Sequence, residues 1–130
     1  MAPVNLGLWK SGLAQGDANA QRLLAYADQM FMLADFDSAV MRGELQAASM
    51  DEIDTTRFGP GMEGKSVLLV TGDSDSVTPA DTMTEPVSDA YDEVGKMRLR
   101  TLVISGDHSF SWSRMALTRV IIDWALADCR

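Results

Sequence analysis

Two short apolar runs set the limits on what this chain can fold into: "SVLLVT" at 66–71 and "LRTLVIS" at 99–105. The first is a Val- and Leu-rich stretch with no polar alternation, which suits a strand buried on both faces of a parallel sheet. Parallel strands cannot be joined by a tight hairpin and need a crossover. The segment between the runs supplies one, because Val87, Ala90, Tyr91 and Val94 recur at helical spacing. Thr82 and Glu85 match a capping box, Pro86 is tolerated in a first turn, and Gly95 ends the helix. A C-terminal helix over 112–126 offers Met115, Leu117, Val120, Ile121, Trp124 and Ala125 for burial. The second half therefore reads strand–helix–strand–helix, an α/β pattern with a right-handed crossover expected.

The front third is different. "RFGPGMEGK" at 57–65 is the strongest breaker in the chain, with three glycines and a proline. Ahead of it, residues 17–34 carry Leu23, Leu24, Ala27, Met30, Phe31 and Ala34 on one helical stripe, with Asp17 placed to cap the N-terminus. "DFDS" at 35–38 reads as a break, and a weaker helix follows over 38–48. Met30, Met32, Met41 and Met50 make an adaptable apolar set that serves either as core or as a partner-facing patch, core being the simpler reading.

Composition narrows the function classes. At 130 residues the chain suits one domain, and 46% hydrophobic with 23% charged residues is a globular balance. No apolar run approaches the ~20 residues of a membrane span. The start, "MAPVNLGLWKSG", lacks the charged n-region and long apolar core of a secretory signal, so a cytoplasmic protein is expected. A net charge of −8 disfavours nucleic acid and anionic membrane as partners, since phosphate-rich surfaces select basic patches. The single cysteine, Cys129, excludes an internal disulfide and a multi-cysteine metal site, and its place beside the C-terminus suits a catalytic thiol badly.

Functional groups of an open α/β sheet gather beyond the carboxyl ends of the strands. Both runs end alike, the first in Gly72-Asp73-Ser74-Asp75 and the second in Gly106-Asp107-His108-Ser109. Neighbouring parallel strands would set these turns side by side and bring the only histidine to a turn with two aspartates. An Asp that accepts the imidazole N–H fixes the tautomer and stabilises the imidazolium during general-base catalysis. Asp75 and His108 are therefore the candidate catalytic pair. The plain alternative is that the acids only cap turns and helices. A metal reading gathers Asp73, Asp75, Asp107 and His108 around Mg, Mn or Zn as a phosphoesterase or esterase centre, against the mutual repulsion of three close acids.

"SVLLVTGDSDSVTP" followed by "TLVISGDHSFSWSRMALTRVIIDWAL" resembles the C-terminal end of an α/β-hydrolase, of the serine esterase and peptidase kind typified by dienelactone hydrolase and prolyl oligopeptidase. The resemblance covers roughly residues 65–127. It implies that Asp75 is the triad acid, that His108 is the triad histidine, and that the helix with Arg114 closes the domain. Residues 1–60 would match the helical lid that precedes the acid strand in many members. The Gly-x-Ser-x-Gly nucleophile elbow of that family occurs nowhere in the chain, and the strands and oxyanion loop ahead of it are absent too. "GDSDS" at 72–76 mimics an elbow around Ser74, but its second glycine is Ser76 and the resemblance gives this turn to the acid. Ser109 and Ser111 flank His108 without being aimed at it by adjacency alone. His108 acting on water, or attacking an activated ester directly, needs no serine.

The expected fold is thus a truncated α/β-hydrolase in one domain, residues 1–60 a helical lid-like segment and 65–130 a parallel β-α-β-α unit. The expected activity is weak hydrolysis of a small-molecule ester with no cofactor. The alternative is an inactive remnant that works by assembly or by complementing a missing fragment. Two strands make a poor sheet alone, and the bare edge over 67–71 is a template for another chain. A twofold homodimer that extends the sheet through that edge is expected, with a pocket between chains bordered by Asp75 and His108.

Overall fold

The computed structural model describes residues 5–29 and 37–128 and resolves the chain into two compact units, one over 5–54 and one from Thr55 onward. The first unit is helical: α1 (Leu6–Gln15), α2 (Ala18–Ala27), α3 (Ser38–Ala47) and the single turn α4 (Met50–Ile53). Each start is capped by a side chain able to accept from the orphan amides of a first turn. Asn5 Oδ1 accepts from the amides of Gly7 and Leu8 at 3.0 and 3.2 Å, and Asp17 Oδ1 from Ala20 at 2.7 Å. Asp37 accepts from Ala39 and Val40, and Ser49 with Glu52 closes a reciprocal capping box at α4. Ala20 and Leu24 are buried and Leu23 and Ala27 half-buried, so the stripe expected along α2 faces inward where it is described. Trp9 is buried beside it, its indole N–H donating to the Ala20 carbonyl at 3.0 Å. Met41 and Met50 are half-buried. Met30, Phe31, Met32 and Ala34, the first two residues of the "DFDS" break, and Cys129 lie outside the described residues.

The second unit is mixed α/β. A 3-10 helix (Thr55–Met62) leads into β1 (Ser66–Gly72), a five-residue π turn (Ala80–Thr84), α5 (Glu85–Val94), β2 (Arg98–Ile104) and α6 (Arg114–Asp128). β1 and β2 pair in parallel, Ser66 beside Arg98 through to Gly72 beside Ile104. Side chains alternate across a strand, and that alternation places the helices. Thr101 meets Ser88 of α5 at 2.9 Å, whereas Arg98, three positions earlier, donates to the Asp128 carbonyl at the end of α6. Thus α5 and α6 cover opposite faces. Val87 and Tyr91 are the buried residues of α5, as its spacing predicts.

Several expectations change. The glycine- and proline-rich breaker separates the helical front from the α/β half, as expected, but the boundary of the units falls just ahead of it, after Asp54; its residues 57–62 belong to the 3-10 helix, where Gly59 is buried against Val94 and Tyr91 of α5. The Thr82–Glu85 capping box does not form. Thr82 instead donates to the Pro79 carbonyl and the π turn runs directly into α5, with Pro86 in its first turn. β1 is half-buried until Thr71 and Gly72, not buried on both faces along its length. α6 has no fully buried residue, and Met115, Ile122 and Leu126 on its outer face are 84%, 51% and 60% exposed. No helix among the described residues is long and apolar enough to cross a membrane.

Asn5 carries the start of the helical unit. It is only 2% exposed, it caps α1, and its amide donates to Asp54 Oδ1 at 3.1 Å, joining the two ends of that unit. Asn5→Ala is expected to destabilise the unit by about 1–2 kcal/mol through loss of the cap, while the exposed Asn19→Ala stays within about 0.5 kcal/mol. Urea unfolding followed by circular dichroism measures both.

Candidate active site

The pairing register decides the site. Because Gly72 lies level with Ile104, the two post-strand turns leave the sheet at the same height. Three bonds then lace them together. The Asp73 amide donates to the Ile104 carbonyl, the Ser74 amide to the Gly106 carbonyl, both at 3.0 Å, and the Gly106 amide to Asp73 Oδ1 at 3.1 Å. The approach is close enough to require glycine on both sides. A methyl on Gly72 would stand 2.3 Å from the Gly106 carbonyl oxygen, and one on Gly106 would stand 2.7 Å from the Ser113 hydroxyl and 2.9 Å from the Phe110 ring.

This lacing brings Asp75 and His108 together, the pair expected from sequence. His108 Nδ1 lies 3.1 Å from Asp75 Oδ2, with the aspartate side chain 2% exposed and the imidazole 22% exposed. The same carboxylate closes its own turn, its Oδ1 accepting from the amides of Val77 and Thr78 at 2.9 and 2.8 Å. Burial pushes the Asp75 carboxyl up, but the hydroxyl and amide of Thr78, the His108 imidazole and the Val77 amide act against it. Together they hold the carboxyl below its usual range. Asp75 is therefore an anion fixed by four donors.

A carboxylate can only accept, so Nδ1 carries the proton and Nε2 holds the lone pair. Nε2 has no hydrogen-bond partner among the described residues, on an imidazole that still reaches solvent. Chemically this is an oriented base with its acceptor nitrogen open.

The remaining candidates have other duties. Asp73 braces the two turns and also accepts from the Ser74 hydroxyl at 3.0 Å, so the Ser74 proton is committed to that carboxylate. Asp107 accepts from the Ser111 amide at 2.7 Å, and that bond is the main cause holding its carboxyl below the usual range. Ser109 and Ser111 are exposed and make no bond to His108. No group of three or more His, Cys, Asp or Glu side chains is arranged to hold a metal among the described residues. The four groups of the metal reading are brought to one end of the sheet, but Asp73 is committed to the Gly106 amide and the Ser74 hydroxyl, and Asp107 to the Ser111 amide.

Two residues escaped the sequence reading. Thr78, 3% exposed, donates its hydroxyl to Asp75 Oδ2 at 2.6 Å and lies 3.1 Å from His108 Nδ1. A Thr three residues after an Asp in a turn is the signal that could have found it, since that spacing closes an Asp turn. Phe110 is the one described non-glycine residue with positive φ, at 51°, a backbone state that bulky side chains rarely adopt. Its buried ring against Gly106 holds the strain two residues beyond His108.

No family profile matches the chain, and no curated protein or solved structure matches it either.

A depressed native carboxyl makes a pH-dependent contribution to stability with a definite sign. The contribution of Asp75 is fully present above its unfolded value, about 3.9, and is lost as pH falls through the lower folded value. The stability gap between wild type and Asp75→Asn is therefore expected to close progressively as pH falls below about 4. Urea midpoints across pH measure it. Gly72→Ala is expected to force the turns apart, and the His108 imidazole resonances should then move toward those of an unfolded peptide.

Proposed function

We propose that this chain is an ester hydrolase of α/β-hydrolase derivation, acting through His108 as the base and Asp75 as its anionic partner. The observation that carries the reading is the state of the imidazole: Nδ1–H held by a buried carboxylate, Nε2 open at the carboxyl end of a parallel sheet. In that state Nε2 takes a proton from an attacking water, and the Asp75 charge stabilises the imidazolium that forms. The same lone pair can attack an activated ester directly, breaking the acyl–oxygen bond to expel the alkoxide or phenoxide and giving an Nε2-acylimidazolium paired with Asp75, which water hydrolyses to the acid and the free imidazole. Neither route needs a serine. The small-molecule substrate would be an ester with a good leaving group, because the sequence has no Gly-x-Ser-x-Gly elbow to drive a harder one.

The likeness in the strand–turn motifs to α/β-hydrolases supports this reading, and the described helical unit ahead of them is compatible with a lid. Hydrolysis of nitrophenyl acetate by wild type and His108→Ala, side by side, tests it. The variant is expected to fall by at least about tenfold, with wild-type activity unchanged by a chelator or by a serine-reactive organophosphate. Equal rates, or no turnover by either protein, would sink the hydrolase reading.

A second reading, assembly with another copy of the chain, is favoured by the exposed apolar surface. Val103, Trp112 and Met115 are 61%, 64% and 84% exposed, and β1 has no described strand on the side away from β2. A homodimer joined through that edge would satisfy its free amides. Sedimentation velocity over a hundredfold range of concentration is expected to give a dimer that dissociates on dilution, and hydrogen exchange should find the outer β1 amides protected only in the dimer.

A further inference from the structure

We propose that Thr78 is a positioning residue for His108, acting as a second acceptor that locks the imidazole tautomer. This rests on reading His108 as the base. The hydroxyl has one proton and two near neighbours. At 2.6 Å from Asp75 Oδ2 that proton is committed to the carboxylate, which has none to give. Toward His108 Nδ1, 3.1 Å away, the oxygen can only accept. Nδ1–H therefore meets two acceptors at the same 3.1 Å distance, Asp75 Oδ2 and Thr78 Oγ1. Both reject the Nε2–H tautomer, whose bare Nδ1 would face a carboxylate and a hydroxyl with its proton already used.

Two contacts do more than one. A single bond to Asp75 leaves the ring free to swing about the Nδ1···Oδ2 line, whereas a second acceptor on the same N–H fixes where Nε2 points. The local backbone makes the arrangement rigid. The Thr78 amide donates to Asp75 Oδ1 at 2.8 Å while its hydroxyl holds Oδ2, so one residue grips both carboxylate oxygens. Thr78 is 3% exposed, so water does not compete for the hydroxyl. The β-branch adds a restricted χ1 that keeps the oxygen between its partners.

His108 is the only histidine in the chain, so its imidazole nitrogens can be followed without ambiguity. The test is a long-range nitrogen–proton spectrum of nitrogen-15-labelled wild type, Thr78→Val and Thr78→Ser above the imidazole titration range, with nitrophenyl acetate kinetics on the same samples. Wild type is expected to be wholly the Nδ1–H tautomer, with a slowly exchanging Thr78 hydroxyl proton. Thr78→Val, with Asp75 left as the single acceptor, should keep Nδ1–H as the major tautomer but admit a detectable Nε2–H fraction, and lose about tenfold in kcat with KM little changed; Thr78→Ser should restore both. A wild-type spectrum of the Nε2–H form overturns the proposal even if no variant folds. So does a Thr78→Val protein with wild-type tautomer and rate. If no protein hydrolyses the ester but Thr78→Val still mixes the tautomers, the positioning role stands and the hydrolase reading fails.

Discussion

Everything at the candidate site depends on the parallel pairing of β1 and β2 in one register. Gly72 beside Ile104 sets the two turns at one level, and the laced bonds among Asp73, Ser74, Ile104 and Gly106 hold them at a distance that only glycine permits. A shift of one residue would turn every side chain to the other face and part Asp75 from His108. The meeting of Asp75 with His108 is thus a consequence of strand register. Neither residue's local sequence could bring them together alone.

That dependence explains how the work is divided among the carboxylates. Asp73 and Asp107 have structural tasks, one bracing the turns and the other closing the turn after β2. Their negative charge is spent on backbone amides, which leaves Asp75 as the anion that meets the imidazole. Burying that anion is costly unless donors surround it, and the Val77 and Thr78 amides, the Thr78 hydroxyl and His108 supply them. Phe110 completes the frame from the other strand, its strained backbone held by a buried ring.

The pairing of Asp75 with His108 was legible because it needed only two facts, a crossover between two apolar runs and a Gly-Asp turn after each. The α2 and α3 starts were legible through local caps and spacing. What was not legible depends on contacts distant in sequence. The breaker at 57–65 marks the change from helices to α/β, but nothing local shows that its Gly59 packs on α5, and α1 looks ordinary until Asn5 meets Asp54. The Thr82–Glu85 box matched a pattern, yet Pro79 and the π turn offered the Thr82 hydroxyl a nearer acceptor. Thr78 was hidden by its ordinariness: its role exists only once Asp75 and His108 are in place.

The central claim is that His108 presents an open, reactive Nε2 on which hydrolysis depends. Titration of the single imidazole with diethyl pyrocarbonate, with nitrophenyl acetate hydrolysis assayed in parallel, tests it most directly. The account predicts that hydrolysis falls in step with carbethoxylation and returns when hydroxylamine removes the adduct. Undiminished hydrolysis by a fully modified protein would contradict it.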